Sequence, residues 1–454
     1  MPTVLRSRRV VVDGQVRAAD IVLADAHIVA VVDYGHGADH DITDFGDWVI
    51  SPGIVDSHVH INEPGRTEWE GFRSATQAAV VGGITTVVDM PLNCIPATTT
   101  RAAAQTKLEA LDRQLYVDAA FWGGVIPGNS GDLAGLREFG CKGAKCFTCP
   151  SGVDEFPHVV QRDLELAAPI LRDLGMTLLV HAEAPRPLEL AEKAVASADP
   201  RLYATYLRSR PEQAENDAIA MVIDVARRHH LAVHIVHLSS ASALPMIAAA
   251  QRQGLAVTAE TCLHYLTFCA EDIPDGATCY KCAPPIRERA NREALWQGLR
   301  DGVLTMVVSD HSPCTPQLKR SETGDFMGAW GGIAGLQLGL SALWTAASAR
   351  GFGLVDVARW NSENTAKLAG LDHAKGTIAP QMDADFVIWD PGADIHVIGS
   401  ELYHRHKLTP YDGLRLRGKV HQTWLRGTPA WTREAGFLGP SGRFVPSRTA
   451  CSAR

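Results

Sequence analysis

Short β-branched runs alternate with Ala- and Leu-rich stretches through most of the 454-residue chain, and this rhythm restricts its fold more than any other feature. The runs read GIVDSHVHI, GITTVVDM, YVDAAFWGG, GAKCF, MTLLVHAE, LAVHIVHLSS, LAVTAETC and LTMVVSD, all between residues 51 and 375. Helical stretches such as FRSATQAAVVGG and QAENDAIAMVIDVARRHH separate most of them. Strands alternating with helices imply βαβ units and a parallel sheet, because a parallel crossover needs a connection about as long as a helix. Eight such units match the count of a (β/α)8 barrel. An α/β, TIM-type barrel is therefore expected over residues 51–375.

The flanks are of another kind. RVVVDGQVRAADIVLADAHIVAVV near the start, and GTIAPQMDADFVIWD and GKVHQTWLRGTPAWT near the end, read as hairpins with glycine or Asp-Gly turns. Residues 1–50 and 376–440 are expected to form one small β-sandwich domain from both chain ends, and the polar residues 441–454 a mobile tail. A chain this long exceeds what one core usually serves, so a large unit plus a smaller one is the natural division. The formal net charge is −8 with no basic cluster of five or more, which argues against nucleic acid or an anionic membrane as partner. There is no run of 18 apolar residues to span a membrane. MPTVLRSRRVVVDGQV lacks the long apolar core and cleavage site of a secretory signal, so the cytoplasm is the expected location.

Catalytic groups of such a barrel collect at the C-terminal ends of its strands. The first run ends with His58 and His60, two residues apart, which on a strand share one face about 6.6 Å apart. Among 18 histidines such a pair arises by chance, or it is half of a metal site. The other runs decide in favour of metal: the fifth ends with His181, the sixth with His237, the eighth with Asp310, and the fourth holds Lys145. An ammonium cannot bind a cation, and a lysine among small apolar residues is commonly a snorkelling or salt-bridged side chain. Burial, however, lowers a lysine pKa and exposes the amine. Reacted with carbon dioxide, that amine becomes a carbamate, a bidentate anion able to bridge two metals. A bridge would account for more ligands than one tetrahedral metal uses.

The ten cysteines carry weaker signals. Cys141, Cys146 and Cys149 are spaced C-x4-C-x2-C, and Cys279 and Cys282 form C-x2-C, but the first group sits on a buried run without a fourth partner. They are read as small buried hydrophobes.

HVHINEPGRTEWEGF, TTVVDMPLNCIPATTT, KCFTCPSGVDEFPHV, VSDHSPC, FMGAWGGIAGLQ and HRHKLTPYDG resemble the cyclic amidohydrolases of the amidohydrolase superfamily, over about residues 5–440. HINEPGRTEWEGF and AWGGIAGLQ are narrower and look like the allantoinase group. The resemblance implies two divalent metal ions, with His58, His60 and Asp310 on the first, His181 and His237 on the second, and Lys145 bridging as N6-carboxylysine. Zinc, cobalt, manganese and iron all suit such ligands, zinc foremost. It also implies a small cyclic ureide substrate, a role in purine and ureide catabolism, and a homo-oligomer, commonly a tetramer.

Two departures separate the chain from its neighbours. Dihydroorotases carry an arginine two residues after the H-x-H, where Asn62 stands here, and an amide cannot form the charged bidentate pair with a carboxylate. Hydantoinases and dihydropyrimidinases usually place a tyrosine five residues after the lysine, where Pro150 stands here. Both point to a neutral ureido-substituted ring, allantoin, opened to allantoate. Two metals sharing a water bring its pKa towards about 7, and Asp310 then carries the proton to the leaving nitrogen. The alternatives are a hydantoinase-type enzyme for another cyclic amide, or a non-catalytic scaffold.

Ser312 and the backbone of Cys282 and Ala283 are expected to hold the ring, against a reading as a plain loop. Asn93 and Arg66 lie on rim loops and divide between substrate contact and loop capping. His234 is expected as a hydrogen-bonded core residue and His311 as pointing away from the metals. His264 stays open between supporting the site and no role. Trp330 should pack a loop over the site, and the HRHK cluster at 404–407 is assigned no chemistry.

Overall fold

The computed structural model describes residues 3–36 and 41–447. The chain begins with β1 (Thr3–Val12), β2 (Gln15–Ala24), β3 (His27–Asp33), β4 (Asp41–Asp44) and β5 (Val49–Pro52). Asp13 and Gly14 join β1 to β2 with φ of 52° and 69°, the two left-handed residues that match a tight hairpin turn to strand twist.

The barrel follows as β6 (Ile54–Val59), β7 (Ile84–Asp89), β8 (Asp118–Phe121), β9 (Gly123–Gly124), β10 (Gly143–Phe147), β11 (Thr177–His181), β12 (Val233–Ile235), β13 (Val257–Cys262) and β14 (Met306–Val308). All pairings among them are parallel, in two arcs, β6-β7-β8 and β9 through β14. β8 and β9 are halves of one stave, interrupted at Trp122, whose backbone N–H donates to Asp89 O at 3.0 Å. A parallel bridge between Val59 and His311 closes the ring. The eight runs thus supply the eight staves. Every residue of β6, β7 and β10 is buried, as expected where the interior packs one face and helices the other.

The helices complete this two-layer packing. The longest, Glu212–His229, buries Ala218, Ile219, Val222, Ile223, Val225 and Ala226 along one side. Glu212 and Glu215 in its first turn and Arg227, Arg228 and His229 in its last oppose the helix dipole.

β15 (Phe386–His396), β16 (Arg415–Leu425), β17 (Thr428–Thr432) and β18 (Gly436–Phe437) come last. β15 pairs antiparallel with β5, Ile388 opposite Ile50, so both chain ends share one nine-stranded sheet in the order β18-β17-β16-β15-β5-β1-β2-β3, with β4 also on β1. Lys375 anchors this sheet to the N-terminal end of β8, its buried ammonium 2.7 Å from Asp118, 2.9 Å from Asp383 and 2.6 Å from Asp385. A buried cation among three carboxylates fixes geometry, because removing either sign strands the other in low dielectric.

The expectation of a mobile tail from residue 441 is corrected for its first part. Gly442 N–H donates to Leu115 O, Val445 N–H to Ala119 O and Ser447 N–H to Gly140 O, while Phe444 packs 4.9 Å from the Phe121 ring. Backbone pairing and one aromatic anchor hold a segment whose polar composition suggested none. The remainder, 448–454, lies outside the described residues.

Candidate metal centre

The six side chains singled out from the sequence meet at the C-terminal mouth of the barrel. His58 lies on β6 with His60 just beyond it, Lys145 on β10, His181 ends β11, and His237 and Asp310 follow β12 and β14. All six are buried. His60, Lys145, His181, His237 and Asp310 line one cavity of about 240 Å³, with His58 immediately behind. His237 and Asp310 sit in the left-handed region, at φ 39° and 44°, which costs a non-glycine residue on the order of 1–3 kcal/mol. Such strain persists where surrounding contacts fix it, and here it falls on two residues of one cluster.

Two groups of ligand atoms can be told apart. In the first, His58 Nε2 and His60 Nε2 stand 3.3 and 3.6 Å from Asp310 Oδ1. In the second, His181 Nδ1 faces His237 Nε2 at 3.0 Å. Lys145 Nζ reaches His58 Nε2 at 3.2 Å. Burial holds His58, His60 and His237 well below the usual histidine range, so their imidazoles are neutral and carry free lone pairs. Burial also lowers Lys145, favouring the amine that reacts with carbon dioxide, and raises Asp310. The donor set fits a pair of divalent ions: neutral nitrogens and a carboxylate, with Nδ1 of His181 and Nε2 of His237 turned to each other within reach of one cation.

The tautomers are fixed from behind by carboxylates that sequence reasoning missed. Glu260, buried on β13, accepts His58 Nδ1–H at 2.5 Å and His234 Nε2–H at 3.0 Å, and the His237 backbone N–H at 3.3 Å. His58 is thereby left with Nε2 as its free donor atom. Glu183 does the same for His181, accepting Nε2–H at 2.8 Å and leaving Nδ1 free. Arg210 grips Glu183 on its other side, and that ion pair with the His181 contact holds the carboxyl down to about 2 against its burial. Asp89 accepts the Ile61 backbone N–H at 2.8 Å and is paired with buried Lys107 at 2.7 Å, which fixes the chain directly after His60. Glu260→Gln is therefore expected to weaken binding at the first metal position about 10- to 100-fold, read by metal titration of the stripped protein; an unchanged affinity would contradict this support.

The expected substrate contacts divide. Asn93, Ala283 and Ser312 line the cavity, and the Asn93 amide also lies 3.5 Å from His60 Nδ1. Cys282 is corrected: the residue is not on the cavity wall, and its carbonyl accepts the Tyr206 hydroxyl at 2.6 Å. Pro150 is on the wall, whereas Asn62 is buried and its amide donates to Pro313 O at 3.3 Å. Arg210, Tyr206 and Lys281 also line the cavity, from a helix and a loop whose sequence has no periodic signal.

His234 is a core residue, accepting from Thr258 Oγ1 at 2.8 Å and donating to Glu260. His311 turns from the cluster, its Nδ1 accepting the Gly335 N–H at 3.3 Å. His264 is buried with both ring nitrogens lacking a hydrogen-bond partner among the described residues, and burial takes it down to about 3. Trp330 packs edge-on to Trp69 at 4.8 Å on the cavity wall. Arg66 donates to Asn93 O at 2.9 Å and pairs with Glu155, a loop-holding role. In the HRHK cluster, Arg405 N–H donates to Glu70 and His406 to Glu68 O. Cys141, Cys146 and Cys149 are buried thiols pushed up to about 12.

Comparison with known proteins shows the family. Residues 49–430 match the model of the amidohydrolase family. The allantoinase of Streptomyces avermitilis is 48% identical, covering 97% of this chain and 98% of its own length. That of Saccharomyces cerevisiae is 47% identical, over 87% and 86%. Among solved structures, an L-hydantoinase (dihydropyrimidinase) from Arthrobacter aurescens superposes with a TM-score of 0.92 at 28% identity, over 98% of this chain and 99% of that one. A dihydropyrimidinase from Brevibacillus agri gives 0.89 at 28%, over 99% of each. The chain belongs to the amidohydrolase family, in the group of its allantoinases.

Proposed function

We propose that the chain hydrolyses the ring amide of allantoin to allantoate. The observation that carries this reading is the convergence of four neutral imidazoles, a buried lysine and an aspartate on one cavity, in a chain 48% identical to an allantoinase. On this reading His58, His60 and Asp310 hold one divalent ion, His181 and His237 a second, and Lys145, as its carbamate, both. When bound, the ions activate water and polarise the scissile carbonyl. Zinc is the ion placed first, with cobalt, manganese and iron compatible with the same donors.

The protein's own groups do the rest. Asp310 takes the proton of the attacking water and passes it to the ring nitrogen as the C–N bond breaks, so that one water is added across the amide. Asn93, Ala283 and Ser312 bound the space in which the ring is held. Glu260 and Glu183 keep the histidine ring atoms aimed throughout. Residues 51–375 are the catalytic unit on this account, and the sheet from 1–50 and 376–440 its support. A homotetramer is the accompanying assembly, on the family resemblance, and the cytoplasm its location, on the absence of a signal-like apolar segment in residues 1–16.

The second reading, a hydantoinase-type enzyme, is favoured by the overall superposition on hydantoinases. Metal-loaded protein assayed on allantoin, hydantoin and dihydrouracil, with and without chelator, separates the two. Allantoin should be opened at least about tenfold faster than either other ring, the worth of one well-placed substrate contact, and chelator should stop it. Faster opening of hydantoin or dihydrouracil would overturn the allantoin assignment.

A further inference from the structure

Two buried lysines stand beside the centre without a part in the reaction. Lys319 donates to the main-chain carbonyls of Lys281 and Trp330 at 3.0 Å each and to that of Gly332. It therefore ties the segment before Ala283 to the loop that carries Trp330, Gly331 and Gly332, all four of them on the cavity wall. Gly332 belongs to this close packing, since a Cβ there would meet Ser312 O at 2.1 Å. Lys319 itself is not on the wall.

Lys281 is. Its ammonium donates to Met327 O at 3.0 Å and Ala329 O at 2.5 Å and lies 4.9 Å from the Tyr206 ring centroid. An ammonium has three N–H groups, and these two carbonyls take two. Among the described residues no carboxylate lies within ion-pair distance of it. Of the other basic side chains on the wall, Arg210 is already neutralised by Glu183, and Lys145 belongs to the metal centre. Burial, with Lys319 and Arg210 nearby and only partly opposed by Asp325, brings Lys281 down to about 7, so that an acceptor reaching it from the cavity would favour its ammonium form. Such a donor on a cavity wall is costly to bury unless a ligand acceptor completes it.

Besides the carbonyl attacked at the metal centre, the substrate offers two acceptors, the second ring carbonyl, which hydantoin shares, and one on the substituent the ring carries. Allantoin differs from plain hydantoin by one neutral ureido arm, whose carbonyl oxygen is such an acceptor. We propose that Lys281 determines specificity for the ureido arm, its third N–H donating to the arm's carbonyl oxygen. The inference rests on the allantoin reading above and adds to it the residue that separates this substrate from unsubstituted rings.

Lys281→Met in the metal-loaded enzyme tests it, with unsubstituted hydantoin as a competitive inhibitor. KM for allantoin should rise about 10- to 100-fold, the worth of one hydrogen bond from a charged donor. The kcat should stay within about threefold, the hydantoin inhibition constant should not move, and two metals per chain should remain. Equal weakening of allantoin and hydantoin would make Lys281 a loop-holding residue and overturn the assignment, as would an unchanged KM. Should Lys281→Met prove insoluble, Lys281→Gln keeps a neutral donor and should give a smaller rise in KM with the same hydantoin constant; equal losses there overturn the proposal likewise. Wild-type protein that fails to open allantoin sinks both readings, whereas normal opening without discrimination at residue 281 sinks only this one.

Discussion

Lys145→Ala is expected to leave the protein folded but without its pair of metals, and to lower kcat/KM on allantoin by at least about 10⁴-fold, as when a unit of cooperating groups is broken. The physical reason is the position of the amine. Lys145 is buried in the barrel mouth, 3.2 Å from His58 Nε2, with its pKa lowered by burial. On the proposed reading Lys145 is the side chain that serves both groups of ligand atoms. Without it, His58, His60 and Asp310 remain one set and His181 with His237 another, each short of donors for a tightly held ion. Metal analysis and activity on the same sample check this. A mutant that keeps two ions per chain would contradict the bridging role, whatever its activity.

Asp310→Asn should separate holding the metal from moving the proton. Asparagine keeps the shape of the side chain and an oxygen towards His58 and His60, but an amide cannot accept and return a proton. The expected loss is about 10²- to 10⁴-fold in kcat, the range for removal of a general acid–base group. KM should stay within about threefold, and at least the ion facing His181 and His237 should be retained. Near-normal kcat in the Asn variant would remove Asp310 from proton transfer and leave it a ligand only.

Much of this arrangement was legible in the chain itself. The staves were readable because parallel strands covered on both faces need unbroken β-branched runs, and each run was bounded by helical composition. The six positions that meet at the barrel mouth were readable because they stand in or just past the ends of those runs, the one rim of the fold where such residue types converge. Nothing in spacing alone marks Lys145 as a bridge; that followed from lysine chemistry and the family resemblance. Glu260 was missed because its contact with His58 spans 202 residues, with no local pattern to announce it, whereas Glu183 stands only two residues after His181 and could have been found from that H-x-E spacing. Lys281 and Lys319 were missed for a related reason: a lysine that donates to loop carbonyls reads in sequence as an ordinary surface charge. Cys282 was misplaced because a backbone carbonyl's partner, here the Tyr206 hydroxyl, is invisible from sequence. The positive φ of His237 and Asp310 was equally hidden, since histidine and aspartate, although enriched there, adopt that region in only a small share of their positions.

The most direct measurement is stepwise reconstitution of chelator-stripped wild-type protein with a divalent ion, with and without added bicarbonate, following bound metal and allantoate together. The account predicts that activity appears only as the second ion per chain is taken up and only where carbon dioxide is supplied. Full activity at one ion per chain, or equal recovery in carbon dioxide-free buffer, would contradict it.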